Sequence, residues 1–262
     1  MSLSHPIHWQ LGRDASEAGL LFCRALERLA AQGNAQAPLS IALTGGQDAT
    51  VFYAAWAAAL ENRFPAPLRD RLCSHTDYFW SDERLVPHTS PDSNYQLAAE
   101  HLFRHRAYMQ LHPAPVAGPR KECAREYAET IRRLVAPGGG KKDAPRFDLV
   151  ILGLGDDGHT ASLFPHSDPY AEDALLVRAV DGTPAHPHDR LTFTPALINA
   201  AREVWFLVLS ENKQFAVRSL YERQATPQEI PALVADPRQT AVTCFLDLSA
   251  AGSLATAMAS RS

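Results

Sequence analysis

No stretch of this chain is apolar for long enough to cross a membrane. Its longest nonpolar run, Val51 to Leu60, is about half the ~20 residues a spanning helix needs. The opening MSLSHPIHWQ lacks the apolar core of a secretory signal. Basic residues are in the minority, 25 Lys and Arg against 29 Asp and Glu, and no basic stripe appears, so the footprint of a nucleic-acid binder is missing. Cysteine is scarce. Cys23, Cys73, Cys123 and Cys244 stand far apart without a CxxC pair, which reads as reduced, mostly buried thiols of a cytoplasmic protein. No Gly-Lys-Ser/Thr follows the first glycine pair, so that turn is not an ATP loop. No GxSxG elbow exists, which argues against a serine hydrolase of that type. No repeat of 20–50 residues stands out.

What is present is a globular chain with 46% hydrophobic residues, enough to bury a large core over 262 residues. Asp14 to Gln32 carries apolar residues at Ala18, Leu21, Phe22, Ala25, Leu26 and Leu29, a helical stripe that Asp14 or Ser16 can cap and Gly33-Asn34 can end. Leu39–Leu43 is a short apolar strand that runs into Thr44-Gly45-Gly46-Gln47-Asp48, followed by a helix over roughly 49–62. A strand at 77–80 leads to Ser81-Asp82-Glu83-Arg84 and a loop, then a helix from Asp92 or Ser93 to about Arg104. Residues 112–119 form a proline-rich loop and 120–135 a helix. The stretch 137–145, with three glycines and two lysines, reads as a flexible surface connection into the next strand. Strands follow at 175–180, 190–194, 203–209 and 242–246, with helices at about 214–223 and 249–258. Alternation of strands and helices predicts one α/β domain over residues 1–262, a three-layer α/β/α arrangement around a mainly parallel, Rossmann-like sheet.

The stretch with the most chemistry is Phe147 to Pro165, FDLVILGLGDDGHTASLFP. Its first half reads as a buried strand of a parallel sheet. Its second half places Gly153, Gly155 and Gly158 around Asp156 and Asp157, then His159. Open α/β sheets bind ligands just beyond the carboxyl ends of their strands. An ordinary histidine titrates near neutrality, which suits His159 to general-base work. The carboxylate pair invites a metal, but no second histidine sits at ligand spacing, and His166 is seven residues on across Pro165. Gly45 and Gly46 are either a phosphate cradle at a helix N-terminus or a tight turn that needs glycine. Asp82, Glu83 and Arg84 are a substrate clamp or an internal ion pair, with arginine suited to phosphate and carboxylate. Arg190 and Lys213 bear on the same site only if the fold brings them to one sheet edge.

Three segments resemble the 6-phosphogluconolactonases, within the superfamily that includes sugar-phosphate isomerases and glucosamine-6-phosphate deaminases. They are FWSDERLVPHTSPDSNY (79–95), FDLVILGLGDDGHTASLFPH (147–166) and RLTFTPALINAAREVWFLV (190–208). The resemblance covers nearly the whole chain. It implies hydrolysis of 6-phosphogluconolactone to 6-phosphogluconate in the oxidative pentose phosphate pathway, with no metal and no organic cofactor. The partner implied is a small sugar-phosphate lactone, with no nucleic acid and no membrane, for a monomer or small homo-oligomer. Carried over, His159 would activate water and Arg84 would hold substrate and meet charge at the lactone carbonyl. Gly45, Gly46, Arg190 and Lys213 would hold the 6-phosphate, with Asp82, Glu83 and Asp157 in support or on sugar hydroxyls.

Two features depart from the family pattern. Gln47-Asp48 replaces a Ser-Thr pair, so Asp48 must turn away from a bound phosphate, pair with a cation or signal a changed ligand. Ser210 stands where glycine is common before the lysine. A deaminase on the same scaffold would carry an acid shortly after the histidine, and Ala161-Ser162-Leu163-Phe164-Pro165 has none. A sugar-phosphate-binding protein without catalysis is the alternative from another class.

Overall fold

A computed structural model of the chain describes residues 7–32, 37–103, 108–138, 144–167 and 175–259. The elements run in the order β1 (His8–Gly12), α1 (Ala15–Ala31), β2 (Leu39–Leu43), α2 (Gln47–Asn62), α3 (Ala66–Ser74), β3 (Thr76–Trp80), β4 (Asp82–Arg84), α4 (Asn94–His101), β5 (Gln110–Leu111) and α5 (Arg120–Leu134). They continue with β6 (Leu149–Gly153), β7 (Val177–Val180), β8 (Arg190–Phe193), α6 (Pro195–Ala200), β9 (Glu203–Val208), α7 (Gln214–Glu222), β10 (Ala241–Asp247), α8 (Leu248–Ala251) and α9 (Ala255–Ala259). Seven strands form a wholly parallel sheet in the order β1-β10-β9-β6-β2-β3-β5. The three-layer, mainly parallel reading holds.

The strands at the centre are apolar on both faces because both faces are covered. Successive side chains point to opposite sides, so β6 sends Val150 and Leu152 into one core and Leu149 and Ile151 into the other. The first core is closed by α5 to α9 and the second by α1 to α4. In the second, Phe22 meets Phe52, Trp56, Trp205 and Phe245 edge-on, with ring centroids 5.5–5.9 Å apart. Edge-to-face pairs are worth about 0.5–1.5 kcal/mol beyond their buried area.

The sequence reading missed a second sheet. β4, β8 and β7 pair antiparallel, in that order, beside the parallel sheet. Ser81 joins the two. Its N–H donates to Leu43 O, its hydroxyl lies within bonding distance of the Leu43 and Ile151 carbonyls, and its own carbonyl accepts from Phe193 N. Thus 82–84 is a strand of its own in a second sheet, where only the tail of the 77–80 strand was expected. The last helix is also two pieces, broken at Gly252, whose φ is +52°.

Local signals explain several boundaries. Asp14 caps α1 by accepting the Glu17 N–H, and Ser93 caps α4 by accepting from Gln96. The expected end of α1 at Gly33-Asn34, the expected helix end at Arg104, and residues 139–143 of the glycine-lysine stretch lie outside the described residues. The ends of that stretch meet in a Pro137–Pro145 bridge and lead into central β6.

Candidate active site

The carboxyl ends of β2, β6 and β9 open onto a cleft of about 550 Å³. Gly45, Gly46, Asp82, Arg84, His159, Arg190 and Lys213 all line it, so the fold brings the two distant cations to one place. Glu83, which is buried, and Asp157, which is exposed, do not line it.

The turn after β2 forms one side. Tyr53 OH lies 2.9 Å from Thr44 N and 2.8 Å from Thr44 O, which pins the chain where it leaves the strand. A side chain at Gly45 would overlap the Asn94 carboxamide, so the turn needs glycine there. Gly46 has φ +90° with open space beyond it, and the N-terminus of α2 has no side-chain cap. Its first N–H groups are available to an anion. Asp48 lines this region, and its Oδ2 accepts the Leu209 N–H at 3.0 Å. Burial pushes the Asp48 carboxyl above its ordinary range, against the opposing pull of that hydrogen bond and of Lys213.

The loop after β6 forms the floor. Asp157 Oδ1 accepts the His159 backbone N–H at 2.9 Å and lies 2.6 Å from His159 Nδ1. Gly155 N donates to His159 O at 2.8 Å, closing the turn. Gly155 also makes room for the ring, since an added Cβ would overlap the imidazole. Gly158 has φ +83° and packs on Ile230. Burial pushes the Asp157 carboxyl up, but the ring and backbone bonds from His159 outweigh it and hold it at about 2. The stability this bond supplies is therefore present above the ordinary carboxylate range and is lost as pH falls toward 2.

The third wall comes from the small sheet. Arg84 and Arg190 are directly opposite in the β4–β8 register. Like charges so placed repel. The Arg84 Nη1 donates to Asp92 O at 2.7 Å, and Arg190 Nη1 lies 3.8 Å from Asp82 Oδ2 with its guanidinium over Phe164. Each Nε is buried without a hydrogen-bond partner among the described residues. Burial lowers the Arg190 pKa, with Asp82 opposing and Arg84 adding to the shift. Asp82 is the hub behind them, accepting from Ser162 Oγ at 2.8 Å and Asn94 Nδ2 at 3.2 Å.

Glu83 is 1% exposed, and its carboxylate accepts the N–H groups of Arg84, Asn94 and Tyr95 and the Ser93 hydroxyl. It ties β4 to the N-terminus of α4 and so positions Asn94. Burial raises its pKa to about 7 against those donors. Glu83→Ala leaves four donors without an acceptor, two of them buried, and is expected to cost about 3 kcal/mol in urea unfolding.

The fourth wall follows β9. Lys213 ends a short 3-10 turn, Glu211–Lys213, and Ser210 before it has φ +79° and ψ 152°. That region suits glycine almost alone and costs another residue about 1–3 kcal/mol. Ser210→Gly is expected to stabilise the fold by about 1 kcal/mol net of the chain entropy glycine adds, read from the denaturation midpoint.

Asn94 and His186 are among the cleft residues to which the sequence reading assigned no role. Asn94 sits inside the quoted 79–95 segment, but its contact with Gly45 is tertiary. His186, which lies 27 positions from His159 in sequence, comes to a ring-centroid distance of 5.0 Å from it.

A doubly covered parallel sheet with an acid–histidine pair and cationic walls at its carboxyl edge defines an α/β enzyme scaffold. Residues 15–244 match the family model described as glucosamine-6-phosphate isomerases/6-phosphogluconolactonase, and the chain belongs to that family. It is 32% identical over 244 residues to the 6-phosphogluconolactonase of Streptomyces coelicolor, covering 90% of this chain and 88% of that one. The 6-phosphogluconolactonase of Synechocystis sp. is 37% identical over 185 residues, 66% of this chain and 74% of that one. Among solved structures, 6-phosphogluconolactonase from Trypanosoma cruzi superposes with a TM-score of 0.81 at 26% identity, covering 97% of this chain and 98% of that one.

Proposed function

We propose that this chain hydrolyses 6-phospho-D-glucono-1,5-lactone to 6-phospho-D-gluconate, the reaction that serves the oxidative pentose phosphate pathway. The observation that carries the reading is the 2.6 Å contact of Asp157 with His159 Nδ1, which leaves the other ring nitrogen for the cleft. The names of the relatives supply the substrate.

In this reading His159 removes a proton from water as the oxygen attacks C1 of the lactone. Asp157 fixes the tautomer and balances the imidazolium that forms. Negative charge gathers on the carbonyl oxygen and is met by Arg84, whose unpartnered Nε supports that role. The tetrahedral species collapses, the C1–ring-oxygen bond breaks, and the ring oxygen takes the proton from His159. Gly45, Gly46, Arg190 and Lys213 hold the 6-phosphate, with Asp82 orienting Arg190. Asp48 is directed at Leu209 N, which lets the turn keep a carboxylate beside an anion site.

The chain works as one catalytic unit, monomeric or as a small homo-oligomer. Four unpaired cysteines support placing it in the cytoplasm. No helix among the described residues is long and apolar enough to cross a membrane. The deciding experiment generates the lactone in place from glucose 6-phosphate with its dehydrogenase and measures hydrolysis above the uncatalysed background. Acceleration is expected. Binding of 6-phosphogluconate without turnover would make the chain a sugar-phosphate-binding protein, and ammonia release from glucosamine 6-phosphate would make it a deaminase.

A further inference from the structure

We propose that Asp157, His159 and His186 form a binding site for a divalent transition-metal ion of the zinc type, and that a bound ion blocks the hydrolytic reaction. One ligand atom from each residue lies within 4.8 Å of the other two. Zinc takes nitrogen and oxygen ligands at about 2.0–2.2 Å, so tetrahedral ligand atoms stand roughly 3.3 Å apart. A swing of up to about 1.5 Å by one imidazole closes that gap. His186 is the ring to swing, since its side chain is held by ring contacts while His159 Nδ1 is tied to Asp157 at 2.6 Å.

His159 and His186 both line the cleft, so their rings are open to an ion entering from solvent. The His186 ring stacks on Phe164 at 4.5 Å and 17°, and its backbone is locked to Thr183 by hydrogen bonds in both directions. Two imidazoles and one carboxylate suit zinc, cobalt or nickel, whereas calcium and magnesium prefer six or more oxygens. The cleft leaves room for water to complete the coordination. Arg84 and Arg190 oppose a cation, which limits the affinity without removing a ligand.

Inhibition follows because the ion takes the His159 lone pair that would accept a proton from water; this half rests on the function proposed above. The binding half does not. Chelator-treated full-length protein is titrated with zinc by calorimetry and with cobalt by visible absorption, beside His186→Ala and His186→Gln. One ion per chain is expected at micromolar zinc, at least tenfold weaker in both variants. Their metal-free lactone hydrolysis stays within a few-fold of wild type, while zinc inhibits wild type more strongly and a chelator reverses it. Absence of binding below millimolar zinc, or equal affinity in wild type and variants, overturns the site. Site-dependent binding that leaves hydrolysis unchanged or accelerates it overturns the inhibition alone. If no lactone hydrolysis is found at all, the calorimetry still decides the site.

Discussion

His159→Ala is expected to lower kcat for lactone hydrolysis by about 10²–10⁴-fold, the contribution a positioned base typically makes. KM should stay within a few-fold, because the groups assigned to the phosphate lie on other walls of the cleft. The fold should survive, since His159 is partly exposed and its backbone bonds to Gly155 and Asp157 do not need the ring. The measurement is steady-state kinetics with the spontaneous rate subtracted, alongside circular dichroism. A variant that keeps near-normal kcat removes His159 from the base role. A variant that loses kcat and KM together points instead to a collapsed cleft.

Gly155→Ala should be almost as damaging, although no reacting atom is touched. The added methyl group falls on the His159 imidazole, so the ring must leave its place and give up Nδ1 contact with Asp157. Gly155 is not in the left-handed region, so alanine imposes no backbone strain. The obstacle is a side chain that can swing outward, and the expected result is a folded protein with kcat reduced by about 10²-fold or more. Melting temperature and kcat are measured on the same sample. A normal melting curve with normal kcat would mean that the imidazole does not work from its position in this structure.

Much of the scaffold was legible because its signals are local. The buried strands at 39–43, 149–153 and 203–208 are short runs of apolar residues bounded by turn formers, and Asp14 and Ser93 stand where helix caps belong. His159 was legible because glycines and acids follow a buried strand. The strand at 82–84 was not, because Asp82, Glu83 and Arg84 carry no apolar pattern and become a strand only by pairing with 190–192. Likewise β5 is two residues long and β1 lies at the sheet edge, so neither gives a period to read. His186 was invisible as a neighbour of His159 because their proximity is made by tertiary packing. The question raised by Asp48 also needed three dimensions, since its partner Leu209 N is 161 positions away.

The two arginines facing one another across β4 and β8 carry a thermodynamic consequence. Without an anion the protein holds two arginines opposite one another, each with a buried N–H that no group among the described residues accepts. The ligand-free form therefore stores electrostatic free energy that a bound anion releases. Occupancy then couples to unfolding, and resistance to heat rises with the logarithm of ligand concentration above Kd. Under the function proposed above, the concentration of sugar phosphate would then set the fraction of this protein that stays folded near its melting temperature.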